Sequence, residues 1–194
     1  CGKVSLVRKR VLNILKKLQK MKYNIEYIKD SIGNNYVGIN IYPHLVMSHL
    51  NHLETILGDE YEDYVTNQKN RDNNKYHITL INVSECNNLI ERLGMVEFAE
   101  SIDKLSTYEI DDLRFLGLGN ASRNENTAYF VVVKSEKMNK VLEAYGLKGK
   151  DFHITLGFKW KDVFGVRKNV VMIETSSFLK LLSDMFYNNG ETFN

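Results

Sequence analysis

The tetrapeptide His-Ile-Thr-Leu occurs twice in the chain, each time after an aromatic residue: Tyr76-His77-Ile78-Thr79-Leu80 and Phe152-His153-Ile154-Thr155-Leu156. Both segments are short, apolar and rich in β-branched residues, so both read as strands. On a strand, residues two apart share a face. His77 and Thr79 therefore stand side by side, as do His153 and Thr155, while Ile78, Leu80, Ile154 and Leu156 point into apolar packing. Two of the five histidines have a threonine two positions on, by composition alone a roughly 2% coincidence. Each copy also closes a strand–helix–strand unit, over residues 36–83 and 127–160. The first unit is lengthened by a polar stretch of the kind a loop insertion produces. A chain duplicated in this way is expected to form a pseudo-twofold cleft on which two imidazoles and two hydroxyls converge.

Periodicity and punctuation predict the other elements. From Val4 to Met21 apolar residues recur at three- and four-residue spacing, with Arg8, Lys9, Arg10, Lys16, Lys17 and Lys20 opposite. This predicts a basic amphipathic helix within residues 1–30, its charges either solvated or attracting phosphate. Tyr36 to Tyr42 predicts a strand, and Pro43 opens a helix reaching Leu57. Gly58 to Lys75 is polar and expected to be a loop, with Asn70 to Asn74 as an exposed turn. Ser84 is the expected N-cap of a helix reaching Ser101. Tyr108 to Leu118 and Thr127 to Val133 predict strands around a loop at Gly119 to Asn126. Ser135 caps a helix ended by Gly146, Val170 to Ile173 is a strand, and Ser177 to Tyr187 is a terminal helix within residues 174–194.

At 194 residues the chain suits one domain over 1–194, or two small lobes sharing a cleft, but not two large domains. Its 43% hydrophobic and 26% charged residues describe an ordinary globular protein. No apolar run approaches the roughly 18 residues of a membrane span, and no secretory leader opens the chain. Cys1 and Cys86, with no Cys-x-x-Cys, point to a reducing compartment, hence the cytoplasm. The net charge of +2 does not by itself indicate a nucleic-acid partner. A start at Cys1 rather than Met fits a processed product or part of a longer polypeptide, to which the basic helix would join it, as it would to a larger assembly. His44, His49 and His52, with Glu54, suggest a zinc site. However, His44 turns away from the face that His49 and His52 share, and His-Glu-x-x-His is absent, so no metal and no cofactor are expected. Phosphate-loop, dinucleotide-loop and serine-hydrolase signatures are missing too.

The paired His-x-Thr segments resemble the signature of the 2H phosphoesterase superfamily. The second half is similar to its "Swiss army knife" branch, associated with RNA repair. That likeness rests on Gly117-Leu118-Gly119, on Asn126 to Val133, on Asp151 to Phe158, and on Asp162-Val163, across roughly residues 36–170. The branch has a second histidine after Asp-Val, where this chain has Phe164. The resemblance implies an α+β fold: bilobal, duplicated antiparallel sheets with flanking helices around a central cleft. It implies cleavage of RNA-type phosphodiesters, with a 2′,3′-cyclic phosphate or a 2′,5′-linked or cyclic oligonucleotide as substrate.

The residues can perform such chemistry without a metal. Unperturbed imidazole titrates near pH ~6.5, so one neutral and one protonated histidine coexist near neutrality. The first takes a proton from the attacking oxygen and the second gives one to the leaving oxygen. His77, Thr79, His153 and Thr155 are the catalytic candidates, the threonine hydroxyls binding the non-bridging oxygens. Lys159, by its parity with His153 and Thr155, is an added cation. Tyr36, Tyr129 and Trp160 are candidates to stack on a base, and Asn126, Arg167 and Lys168 to contact the substrate from loops. A non-catalytic RNA- or nucleotide-binding module of the same fold is the rival reading, and a domain that positions a larger assembly is a third.

Overall fold

The computed structural model describes residues 21–168. The sequence-predicted helix as far as Lys20, the strand from Val170 and the helix from Ser177 lie outside the described residues. Within them the order is β1 (Tyr23–Asn24), β2 (Glu26–Lys29), β3 (Asn35–Ile41), α1 (Met47–Leu57), α2 (Tyr61–Arg71), β4 (Tyr76–Ile81), α3 (Val83–Leu93), α4 (Met95–Ser106), β5 (Glu109–Ile110), β6 (Arg114–Arg123), β7 (Asn126–Lys134), α5 (Glu136–Ala144) and β8 (Phe152–Phe158). The protein has the α+β fold expected: two three-stranded antiparallel sheets, β2-β3-β4 and β6-β7-β8, with helices around them. A small pair, β1 with β5, completes the strands. In each half a His-x-Thr strand is the last of its sheet, and these two strands, β4 and β8, pack beside each other.

The duplication extends to a defect in the ladders. Val37 pairs with Ile81 and Gly38 with Thr79, leaving Leu80 as an extra residue on β4. Tyr129 pairs with Gly157 and Phe130 with Thr155, leaving Leu156 extra on β8. Both bulges follow directly after the threonine. A bulge reverses the alternation beyond it. It therefore ends each His-x-Thr face and buries two consecutive residues, Leu80 with Ile81 and Leu156 with Gly157.

Two glycines allow the close approaches that frame this arrangement. A Cβ on Gly38 would lie 2.4 Å from the Ile78 carbonyl oxygen, so only glycine lets β3 lie this close to β4. A Cβ on Gly157 would lie 2.9 Å from the Tyr64 main chain, so only glycine lets α2 rest on β8. The α2 helix corrects the loop expected over Gly58 to Lys75. A short 3-10 turn, Gly58–Glu60, leads into it. Its buried face is Tyr64, Val65 and Gln68, with Tyr61 half-buried one turn earlier. That is helical spacing, hidden by the polar residues between. The expected turn at Asn70 to Asn74 survives only at its end, where Asn73 and Asn74 take positive φ. Arg71 and Asp72 face inward.

Other boundaries move for local reasons. β1 and β2 occupy the end of the span assigned to the basic helix, because Tyr23, Ile25 and Ile28 are buried while their neighbours are exposed. Pro43–Leu45 is a 3-10 turn, and α1 starts at Met47. Asn82, rather than Ser84, caps α3. Its side chain accepts from Glu85 N at 3.0 Å, and the Glu85 carboxylate accepts from Asn82 N at 2.8 Å, a capping box. The helix predicted to reach Ser101 is two helices, broken at Gly94 with φ of 86°. Ser135 does cap α5, accepting from Met138 N at 3.0 Å. The loop expected at Gly119 to Asn126 is instead a tight hairpin with Asn124 at φ of 55°. One core runs through both halves. Ile39, Ile78 and Leu80 from the first meet Val131, Ile154 and Leu156 from the second, and Leu89, Phe98 and Leu142 pack on them from helices.

Candidate active site

The last strand of each sheet presents its polar face to one cleft of about 650 Å³, lined by His77 and Thr79 from β4 and by His153 and Thr155 from β8. The four residues chosen from sequence are thus brought together. Burial of Ile78 and Ile154 on the reverse face fixes the register, since a slip of one residue would send both imidazoles into the core. The cleft is completed by the end of α2, which supplies Arg71 and Asp72, by the turn after β2, and by the segment following β8, which supplies Asp162 and Lys168.

Charge is arranged along a chain of contacts from one dyad to the other. Asp72 Oδ2 lies 3.9 Å from His77 Nδ1. Arg71 grips Asp72 with two bonds of 2.7 Å and reaches across to Asp162 through its other nitrogen. Asp162 accepts from Thr155 Oγ1 at 3.4 Å and from Lys168 Nζ at 3.2 Å. Lys168 Nζ is also 2.9 Å from His153 Nε2. Gln68 holds Asp72 from behind at 3.0 Å. The side chains of Asp72 and Asp162 are 3% and 4% exposed, so their charges need these partners.

Burial pushes both imidazoles below their ordinary range. For His77, burial comes first and Asp72 opposes it. For His153, burial is reinforced by the neighbouring Lys168 ammonium. Burial also lowers Lys168, which Asp162 partly restores. Burial would raise Asp162, but Lys168 and Arg71 outweigh it and hold the carboxyl below the usual carboxylate range. An ammonium can only donate, so Nε2 of His153 is an acceptor and the ring is neutral, with its hydrogen on Nδ1 toward the Asp151 carbonyl at 3.5 Å. Tyr36 is held above its ordinary value, mainly by burial, and its hydroxyl lies 3.1 Å from His77 Nε2.

These directions set a pH dependence of stability. The unfolded chain protonates its histidines as pH falls through about 6.5. The folded protein does so only at lower pH for His77, His153 and the half-buried His49. Stability is therefore full above about pH 6.5 and is lost as pH falls toward the folded values. Urea midpoints should be flat from pH 8 to 7 and decline from 6.5 to 5. His153→Gln should make the decline shallower; a midpoint that rose on acidification would contradict the neutral-imidazole assignment.

The other sequence candidates divide. Tyr36 lines the cleft, but it is buried and bonded to His77, so it offers no free ring face. Lys168 is a buried wall of the cleft and Arg167 sits exposed at its rim. Lys159 does not reach the site: the bulge at Leu156 reverses its parity, and it pairs with Glu60 at 3.1 Å. Trp160, 70% exposed, shares with Lys159 a separate hollow beside Glu60 and Asp63. Tyr129 packs edge-on against Tyr64, and Asn126 accepts from Lys161 N at 3.1 Å, both away from the cleft. Arg71, Asp72 and Asp162 were missed as site residues. The Tyr61, Tyr64, Val65, Gln68 spacing was the available signal for Arg71 and Asp72. Among the described residues no group of three or more His, Cys, Asp or Glu is placed to hold a metal ion, His44, His49 and His52 included. Among them also, no helix is long and apolar enough to cross a membrane.

The model of one protein family, described as "Swiss Army Knife, 2H phosphoesterase domain", matches residues 45–164, more than half of the chain. The matched span includes both His-x-Thr strands and ends at Phe164, so Tyr36 and Lys168 stand outside it. No curated protein and no solved structure matches.

Proposed function

We propose that this chain, which belongs to the Swiss Army Knife 2H phosphoesterases and shares their phosphodiesterase-type activity, acts on RNA-type phosphodiesters by metal-independent acid–base catalysis between His77 and His153. The carrying observation is that both His-x-Thr faces line one cleft. A neutral imidazole takes the proton of an attacking water or ribose hydroxyl as its oxygen bonds to phosphorus. The bond from phosphorus to the leaving oxygen breaks, and the second imidazole protonates that oxygen. The anionic phosphodiester supplies the charge that restores a proton to one of two otherwise neutral rings. Thr79 and Thr155 donate to the non-bridging oxygens, and Arg71 offsets the charge that gathers there.

A nucleotide suits the space. The cavity falls within the range of small-molecule sites. Its rim carries two apolar side chains in solvent, Ile32 at 83% and Phe164 at 70% exposure. Phe164 offers an exposed ring at the rim on which a base stacks. On this reading the protein works in the cytoplasm, with RNA or a nucleotide as partner and the basic N-terminal segment joining it to a larger assembly. The test is a panel of 2′,3′-cyclic mononucleotides, 2′,5′-linked oligoadenylates and cyclic dinucleotides, assayed with and without chelator, products resolved. At least one should turn over at a rate chelator leaves unchanged. Saturable binding without turnover would instead establish the binding-module reading, and turnover restored only by added metal would overturn the two-histidine mechanism.

A further inference from the structure

The two dyads are alike in sequence but unlike in their surroundings. His153 faces the Lys168 ammonium at Nε2, the Asp151 carbonyl at Nδ1, the edge of the Phe130 ring, and Asp162 behind Lys168. Within electrostatic reach it also senses His77. His77 faces the Asp72 carboxylate at Nδ1 and the Tyr36 hydroxyl at Nε2, with Arg71 and then Asp162 beyond Asp72. A cation therefore sits directly on one imidazole and an anion beside the other. Lys168 is not a loose surface group: its side chain is 7% exposed and anchored to Asp162.

We infer that Lys168 sets the direction of proton flow: held by Asp162 against Nε2 of His153, its ammonium makes His153 the proton acceptor and leaves His77, faced by Asp72, as the proton donor. The inference rests on the phosphodiesterase reading above. When substrate binds, the ammonium yields Nε2 to the attacking oxygen and stays with Asp162. Nε2 takes that oxygen's proton as the new bond to phosphorus forms. The leaving oxygen departs with the electron pair of its bond to phosphorus and takes the proton of His77. His153 then releases its proton to solvent and His77 takes one up. Lys168 acts through His153, as a positioning residue. Like charge disfavours imidazolium formation and opposite charge favours it, each by about one to three pH units at close range.

Histidine ring NMR on the ligand-free full chain reads this without turnover. In Lys168→Met the His153 midpoint should rise by about one unit or more, with His77 moving little, whereas Lys168→Arg should keep the wild-type value. The acid limb of the kcat/KM profile should move with His153. His153→Gln should remove the acid limb and His77→Gln the alkaline limb. An unmoved His153 midpoint in Lys168→Met, equal shifts of both rings, or limbs lost in the opposite pairing would overturn the assignment. If the His153 shift occurred but wild-type protein cleaved no phosphodiester, the functional reading would fail, and the proton direction with it. Turnover present with the shift absent would sink the Lys168 role alone.

Discussion

Alanine in place of His77 or of His153 is expected to lower turnover of the preferred phosphodiester by about 10² to 10⁴-fold, the usual share of general acid–base catalysis. The two losses should be similar, because one ring must take a proton and the other must give one in the same displacement. They should not add. Once either ring is gone the concerted transfer is gone, and the double variant should stay within about tenfold of the worse single one, as groups acting as a unit do. KM should change little, since Thr79, Thr155 and Arg71 remain to hold the phosphate. Folding should survive both changes, because each imidazole sits on the cleft face of its strand, while Ile78 and Ile154 behind it keep the packing. Steady-state kinetics with a denaturation curve for each variant checks both halves. Near-normal rates in either alanine variant would refute the assignment.

The second large effect concerns Arg71. Its guanidinium joins Asp72 to Asp162 and lies over the ring of Phe158, 4.9 Å from the centroid. Arg71→Met removes the cation while keeping much of the packing. Two nearly buried carboxylates then lose their common partner, and removing one member of such a buried network costs about 3 to 5 kcal/mol. Partial exposure of Arg71, 26% of its side chain, argues for the lower end of that range. Arg71→Lys should recover only part, because an ammonium cannot make the paired bonds to Asp72 and the bond to Asp162 together. Denaturant midpoints at constant m-value measure this. A loss under about 1 kcal/mol would mean that water already screens the two carboxylates. Activity should fall beyond the stability effect, because Asp72 and Asp162 hold the surroundings of both imidazoles.

How much of this was legible in the sequence depended on whether one periodicity governed the residue concerned. The faces of β4 and β8 were readable because alternation alone decides them: His77, Thr79, His153 and Thr155 share a cleft for the same reason that Ile78 and Ile154 are buried. Alternation failed at Lys159, since a bulge needs a partner strand to exist and leaves no mark in its own strand's composition. The α2 helix was hidden by composition. Its buried spacing, Tyr61 to Gln68, is interrupted by Glu62, Asp63, Thr66 and Asn67, and its low apolar content reads as loop. With the helix went Arg71 and Asp72, whose burial follows from the way α2 lies on β8 at Gly157. Charge and nearness to the second motif single out Lys168 in the sequence. Its actual place, between His153 and Asp162, is set by tertiary folding of the chain after β8. Tyr36 lies beside the cleft as a buried phenol whose hydroxyl reaches His77, a partner that alternation alone does not reveal.

A single phosphate is expected to lie between the two imidazoles, and titrating the protein with a slowly hydrolysed 2′,3′-cyclic phosphorothioate nucleotide while following the ring signals of both histidines shows whether it does. The His77 and His153 signals should move together along one saturation curve, each ring becoming easier to protonate as the anion binds. Movement of one ring alone, or saturation of the two at different ligand concentrations, would contradict it.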